Sequence, residues 1–537
     1  MKFVKHILIC LLTVVLFYIS WPPHSISGLL FIAFLPVLHL IFSYKSEEFK
    51  YSNVYLISLL FITFFLINFS LTSWLIYAHL FGGIFASIFN ATLMSILIFL
   101  IYKIKCNLGD KQAYFAFPTL WLAFEYLHLN WDMTWPWMSL GNGFAEQTNW
   151  IQWYEYTGVF GGSFWILIVN TILYFSLSQL LKKKPFSTPL LFSLFFIISP
   201  ILISYKITLN TSNFTGEEVK VVIVQPNYEP HNEKFNIPQN KQLNEVETLL
   251  KPVWNTEPDL IVLPETFITD WIWESRLETS PAVLRMKSWL SKHRTTQILS
   301  GASTGKVLTD DEKHKTTARI SRNGTVYEVF NSALLISNQQ ETQVFHKSKL
   351  VPGAEMTPFS TILKPVFDKF PVKLGGTIGN FGTNDALFNF ESHQGYFTPI
   401  ICYESVFGEY VSNFNSLGSK WICIITNDGW WGNTFGHQQH NSYARLRAIE
   451  NRKYVVRSAN TGISSVINPL GMVEQFLPYG ERGIIETTIR KSDKMTFYAQ
   501  HGDYIGRLAS FLAIIYFLQL IISYLKTDSI DLKSLKK

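Results

Sequence analysis

Charge is scarce in this chain. Of its 537 residues only 16% are Asp, Glu, Lys or Arg, against 48% hydrophobic and 16% aromatic, where a soluble protein carries about 25% charged residues. That shortage excludes a string of ordinary soluble domains, which the length alone would suit. Cysteine is scarcer still. Cys10, Cys106, Cys402 and Cys423 form no CxxC pair and no Cys/His cluster, which excludes a zinc site and a disulfide framework. A single Cys402–Cys423 bridge stays open in an oxidising compartment. No metal-ligand spacing occurs, so no metal and no cofactor is expected. Internal repeats and low-complexity stretches are also missing.

What the chain has in place of charge is long apolar runs. Eight of them, at roughly 4–20, 27–43, 54–78, 83–103, 114–129, 159–181, 188–205 and 506–525, approach or exceed the length of about 20 helical residues that crosses a bilayer. The fifth is the weakest, since it contains Pro118 and Glu125. Glu125 reads as a bundle-packed or loop-side residue rather than an ion site. The first run follows Lys2 and Lys5 but leads to "SWPPHS" without a small-x-small cleavage site, so it reads as a retained span.

Lys and Arg are missing from every second loop. The segments 21–26, 79–82 and 130–158 contain none, whereas Lys45 and Lys50, Lys103, Lys105 and Lys111, Lys182, Lys183 and Lys184, and Lys526, Lys533, Lys536 and Lys537 cluster at the other helix ends. Cytoplasmic loops collect such residues, so both termini are expected in the cytoplasm and the large polar segment outside it. The net charge of +6 is then a topology signal, and no nucleic-acid partner is expected. This predicts a polytopic helical membrane domain over 1–205 (seven spans), an extracytoplasmic domain over 206–502, and a last span with a cytoplasmic tail over 503–537.

The outer segment alternates. Strand-like runs at 219–225, 259–265, 296–304, 330–337, 395–403, 421–428, 453–460 and 462–468 are separated by helical patterns at about 238–251, 280–292, 404–416 and 434–451. Several strands are continuous apolar runs, as strands covered on both faces are. The pattern predicts a layered α/β or α+β sandwich.

Chemistry-bearing residues sit where these strands end. "DLIVLPETF" ends on Glu265, "VFHKSKLVPGAEMTPF" offers Lys347, Lys349 and Glu355, and "IICYESVFGEY" places Cys402 before a predicted helix. A helix N-terminus would favour a thiolate and an oxyanion. Each segment also has a plain reading, as a solvated loop residue, a polar hairpin or a buried strand cysteine.

In this order the three motifs resemble the Glu-Lys-Cys constellation of the nitrilase, or carbon–nitrogen hydrolase, superfamily. "ITNDGWWGNTFGHQQHNSYARLRAIENRKYVVRSANTGISSVINPLG", residues 425–471, is similar to the segment after the cysteine in the apolipoprotein N-acyltransferase family, whose members have eight spans and a periplasmic nitrilase-like domain before the last one. The resemblance implies an αββα sandwich. It implies Glu265 as general base, Lys347 as the oxyanion's cation, Cys402 as nucleophile, Glu355 as a supporting carboxylate, and Tyr403 and Glu404 as the family's residues after the cysteine. It further implies a multi-pass bacterial inner-membrane enzyme whose acyl donor is a membrane phospholipid and whose acceptor is the amine of a diacylglyceryl apolipoprotein. A monomer is expected. This chain has Lys349 where the family often has His, and Phe235 where many members have Trp. Lys347 and Lys349 would share one face of a strand, and the spacing to Glu355 favours Lys347.

Two rival readings share some of these features. A membrane-anchored amidase using water would keep the same three residues. A receptor or transporter would only bind a ligand with its outer domain, and transporters place polar groups near the middle of their spans. Aromatic clusters suggest where a lipid would enter. "TFITDWIWES" with Trp271 and Trp273, and "NDGWWGNTFG" with Trp430 and Trp431, are predicted as lipid-access loops, with Trp131, Trp135, Trp137, Trp150 and Trp153 of 130–158 on the bilayer side.

Overall fold

The computed structural model describes residues 2–45, 51–211, 214–359, 380–384 and 386–534. Lys50, Lys536 and Lys537 of the expected basic clusters lie outside them. Among the described residues six helices are long and apolar enough to cross a membrane: Phe3–Ser20, Ser52–Thr72, Leu80–Leu108, Tyr154–Leu181, Ser187–Thr211 and Tyr504–Ser523. Six of the eight expected runs meet this measure of length and composition, and the other two are helical in part or with a proline inside. The second run breaks into a 3-10 turn, Ser27–Phe31, and a nine-residue helix, Leu35–Ser43, with Pro36 in its first turn. The fifth run is one helix, Asp110–Leu129, with Pro118 inside it. Glu125 on that helix is bundle-packed: its Oε1 accepts from Trp121 Nε1 at 3.0 Å and from the Leu140 N–H at 2.8 Å. It thereby holds the following loop, which folds into 3-10 turns Pro136–Met138, Leu140–Phe144 and Thr148–Trp150.

Between the last two of these long helices the described chain forms fourteen strands: β1 (Glu218–Gln225), β2 (Leu260–Val262), β3 (Ile268–Trp273), β4 (Gln297–Val307), β5 (Arg319–Ile320), β6 (Val326–Ile336), β7 (Gln343–His346), β8 (Phe390–Ser392), β9 (Gly395–Ile401), β10 (Ile422–Thr426), β11 (Val455–Ala459), β12 (Ser464–Ile467), β13 (Val473–Leu477) and β14 (Gly483–Arg490). One sheet runs β14-β1-β2-β4-β6-β5, with β3 beside β4 and β7 beside β6; the other runs β13-β12-β11-β10-β9-β8. Parallel pairs β1/β2 and β2/β4 in the first sheet, and β9/β10 and β10/β11 in the second, form the centres.

Alternation along β1 decides the layers. Val221 and Ile223 share a core with Ile424 and Val466 of the second sheet, while Val222 and Val224 pack with Leu243, Val246 and Met286 of helices Gln239–Leu250 and Pro281–Trp289. Opposite faces of one strand thus meet a sheet and a helix layer. The fourth layer is the helix Phe435–Asn451, started by Thr434, whose hydroxyl accepts from the Gly436 N–H, and ended by Arg452 in the left-handed region. The expected αββα sandwich is present.

The outer helix also seats on the membrane helices. Trp21 Nε1 donates to Tyr443 Oη at 3.0 Å, and Gln439 Oε1 accepts from Trp74 Nε1 at 3.1 Å and Trp137 Nε1 at 2.7 Å. Beside it the buried Arg452 donates to Glu155 Oε2 at 2.9 Å, to Gln152 O at 2.6 Å and to Pro469 O at 3.1 Å. Lys494 also reaches Glu155, at 2.7 Å. Breaking a buried ion pair from one side costs about 3–5 kcal/mol, because the other charge stays behind. Lys494 remains in place, so Arg452→Met is expected to lower stability by about 3 kcal/mol, read from unfolding in detergent micelles. A midpoint equal to that of the unsubstituted protein would show that Arg452 does not brace the two parts.

Candidate active site

Three segments deliver side chains to one edge of the sandwich. Glu265 lies just past β2, in a segment pinned beside β4 by the Leu263 N–H to Leu299 O at 2.8 Å and the Gly301 N–H to Pro264 O at 3.1 Å. Lys347 follows β7 directly, its N–H bonded to Asn331 O of β6 at 2.8 Å. Cys402 follows β9 directly and takes a φ of +53°, a sharp elbow that most residues avoid. Two bonds hold this elbow by its carbonyl: Ser405 Oγ donates to Cys402 O at 2.7 Å, and His440 Nε2 lies 3.2 Å from the same oxygen.

Lys347 stands between two carboxylates. Its Nζ is 3.4 Å from Glu265 Oε1 and 2.8 Å from Glu355 Oε1. Asn331 Nδ2 donates to the same two oxygens at 2.8 and 3.1 Å, and Glu355 Oε2 accepts from the Val351 N–H at 2.9 Å. Burial works against the lysine's charge, but Glu355 and Glu265 outweigh it and hold the ammonium well above the usual lysine range. The sulfur behaves in the opposite way. Burial and the Glu265 carboxylate push the Cys402 thiol well up, with Lys347 opposing them. The turn after it, Cys402–Val406, is a five-residue 3-10 helix followed by a six-residue helix, Gly408–Asn413. The longer helix expected over 404–416, with its terminal dipole on the sulfur, does not form.

Glu265, Lys347, Cys402, Glu355, Tyr403 and Asn331 line a cavity of about 160 Å³. Phe235, Trp430 and Trp431 complete it from the sandwich side, and Trp74, Leu75, Ala78, Trp135 and Trp137 close it from the membrane helices and their loop. Tyr403 Oη donates to Thr134 O of that loop at 2.9 Å. Glu404 does not line the cavity. Its oxygens accept from the N–H groups of Ser348 (2.7 Å), Lys349 (3.2 Å) and Ile401 (2.8 Å) and from Tyr410 Oη (2.7 Å). It clips the Lys347 segment to the Cys402 elbow. Lys349 points away, its Nζ 5.3 Å from the centre of the Phe407 ring.

The two predicted access loops separate. Trp430 and Trp431 line the cavity, whereas Trp271 and Trp273 belong to β3 and pack on each other and on Tyr327, with ring centres 5.6, 6.3 and 5.3 Å apart. Strand pairing with β4 takes this segment away from the site. Of the 130–158 aromatics, Trp135 and Trp137 reach the cavity, Trp131 packs on Phe89, and Trp150 and Trp153 pack on Phe144 and Trp165. Cys402 and Cys423 are both free thiols. Sequence reasoning missed Asn331, although a lone Asn in the apolar run "FNSALLIS" was a usable signal. It also missed Lys234 and His440, which nothing in their own segments distinguishes.

These charges make a prediction with two opposite signs. The Glu265 carboxylate raises the Cys402 pKa, so Glu265→Gln lowers it and increases the thiolate fraction. Alkylation of Cys402 by iodoacetamide at neutral pH is then expected to speed up by about threefold or more. With Glu265 read as the base, as the family resemblance implies, the same change is expected to slow thioester formation on Cys402 by about 100-fold or more. Slower alkylation in Glu265→Gln would contradict the assigned electrostatics. Cys402→Ser should abolish the thioester, and Cys423→Ala, deep in β10, should leave its formation unchanged, both read by mass spectrometry of the acylated protein.

Known proteins share both halves of this chain. The Carbon-nitrogen hydrolase family matches residues 220–494, and the Apolipoprotein N-acyltransferase N-terminal domain matches residues 14–172. The Apolipoprotein N-acyltransferase of Chlorobaculum tepidum is 27% identical over 497 residues, covering 90% of each chain. That of Aquifex aeolicus is 30% identical over 382 residues, covering 70% of this chain and 76% of the relative. Apolipoprotein N-acyltransferase 1 of Treponema denticola is 25% identical over 540 residues, covering 96% of each. With both domains matched and these relatives aligned over 70–96% of its length, the chain belongs to the apolipoprotein N-acyltransferase family and carries a carbon–nitrogen hydrolase domain between its membrane helices.

Proposed function

We propose that this protein moves an acyl chain from a membrane phospholipid, through a thioester on Cys402, to the N-terminal amine of the diacylglyceryl-cysteine of an apolipoprotein. One observation carries this reading beyond a plain amidase. One side of the cavity that holds Glu265, Lys347 and Cys402 is made by Trp74, Leu75, Ala78, Trp135 and Trp137, from the membrane helices and their loop. An enzyme acting on water-soluble amides needs no such wall. A lipid ester held at the bilayer surface does.

The chemistry runs in two halves. Glu265 takes the Cys402 proton as the sulfur attacks the ester carbonyl carbon. The oxyanion that forms is met by the Lys347 ammonium and the Tyr403 N–H. Collapse breaks the ester C–O bond, and the leaving lysophospholipid oxygen takes the proton back from Glu265. The acceptor amine then attacks the thioester and gives a proton to Glu265, and the sulfur leaves and is reprotonated. Such an order is ping-pong. The burial that disfavours the Cys402 thiolate suits it, because proton transfer then accompanies attack. Trp430 and Trp431 form the wall that faces the incoming chains. The lysine-rich helix ends lie in the cytoplasm and the sandwich in the periplasm of a bacterial inner membrane. One chain supplies every site residue, so a monomer suffices.

Mass spectrometry of lipoprotein N-termini tests the reaction: cells with the protein are expected to hold N-acylated lipoproteins, and cells without it free amines. Free fatty acid in place of N-acyl product would make water the acceptor and the protein a hydrolase. For the lipid wall, Trp430→Ala and Trp431→Ala are expected to slow acyl transfer from phospholipid by about tenfold while changing transfer from a short soluble thioester by less than about threefold. Equal losses on both donors would assign these rings to the domain core.

A further inference from the structure

Lys234 lies against the catalytic carboxylate's own backbone. It is only 1% exposed. Its Nζ donates to Glu265 O at 2.8 Å and to Thr266 Oγ1 at 2.8 Å. Among the described residues no carboxylate oxygen pairs with it, whereas buried lysines are nearly always paired. Burial pulls its pKa down to about 7, with Glu265 and Cys402 pulling the other way. A methionine would fill the same space without that cost, so the feature this position uses is the ability to donate.

What it donates to is a strained turn. Thr266 has a φ of +47°, and a β-branched residue in that region is an outlier. On the other side the turn is pressed onto β4 at Gly301, where a Cβ would lie 2.3 Å from Thr266 N and 2.6 Å from Glu265 Cα. The Glu265–Thr266 peptide is thus held between a glycine that lets it approach β4 and a lysine that bonds it. The neighbouring Phe235, 5.5 Å from the Lys234 ammonium, lines the cavity.

We infer that Lys234 is a positioning residue for the acylation step: its two bonds hold the left-handed Thr266 turn that aims the Glu265 carboxylate at Lys347 and Cys402. The inference rests on the reading of Glu265 as the base. It makes Lys234 act through geometry, without touching the reacting atoms.

The test uses the full chain in phosphatidylethanolamine vesicles and follows thioester formation on Cys402. Lys234→Met is expected to slow it by about 100-fold, with the dependence on donor concentration unchanged. Glycine adopts a positive φ without strain, so adding Thr266→Gly to Lys234→Met is expected to restore about tenfold of the lost rate. A merely structural lysine would gain nothing from that second change. If Lys234→Met does not insert, Thr266→Val decides, because it keeps the shape and removes one of the two acceptors. It is expected to slow the thioester by about tenfold at unchanged donor dependence. Unchanged rates in Lys234→Met or Thr266→Val, or no recovery on adding Thr266→Gly, overturn the inference. Glu265→Gln separates the two levels. If it is fully active, the base reading fails and the inference with it. If it is inactive beside a fully active Lys234→Met, the inference alone fails.

Discussion

One ammonium shared by two carboxylates governs the site. Glu265 and Glu355 both lie within 3.4 Å of Lys347 Nζ, and Lys347 and Glu265 are buried. Two carboxylates so placed without a cation between them would repel. Lys347 removes that conflict, and Asn331 adds a neutral donor to the same two oxygens. Lys347 is therefore held with respect to both Glu265 and Cys402. Its backbone is tied to β6 through Asn331 O, and its segment is tied to the Cys402 elbow through Glu404, which takes N–H groups from both. Glu404 thus joins the two segments from outside the cavity.

The elbow is in turn connected to the membrane wall. The Cys402 carbonyl meets Ser405 Oγ and His440 Nε2, and His440 Nδ1 lies 2.9 Å from Asp428, which is paired with Arg457 at 2.7 Å. Asp428 opens the turn that carries Trp430 and Trp431, and Gln439, the residue before His440, is bonded to Trp74 and Trp137. Nucleophile, aromatic wall and membrane helices therefore hang on one buried helix, Phe435–Asn451. In the proposed reaction this continuity would set a fixed distance between the sulfur and a lipid carbonyl lodged against the tryptophans, which is the condition for proximity to accelerate the attack.

Much of this was legible in the sequence, for identifiable reasons. Glu265 and Cys402 end continuous apolar runs, and Lys347 and Glu355 keep a fixed spacing, so the site's charged core stood out. Layering followed from strands alternating with helical patterns. What was hidden depends on contacts between segments. Asn331 matters because β6 pairs with β7, and Lys234 because its loop folds under the Glu265 turn. Trp271 and Trp273 looked like a loop because "ITDWIW" mixes polar and aromatic residues, yet Ile268 and Ile272 face the core and make it a strand. Helix Phe435–Asn451 is polar in sequence and buried nearly all round, since Gln439, His440 and Arg447 satisfy partners on two sides. An apolar run by itself does not reveal that the second one is divided before the helix that carries Pro36.

The most direct measurement places the protein in vesicles whose phospholipid carries an isotope-labelled acyl chain, digests it and weighs the peptide that contains Cys402. The account predicts a labelled, hydroxylamine-sensitive acyl group on that peptide, which disappears when a diacylglyceryl lipopeptide with a free amine is added and reappears on the lipopeptide. A lipopeptide that gains the label while Cys402 never carries it would contradict the account.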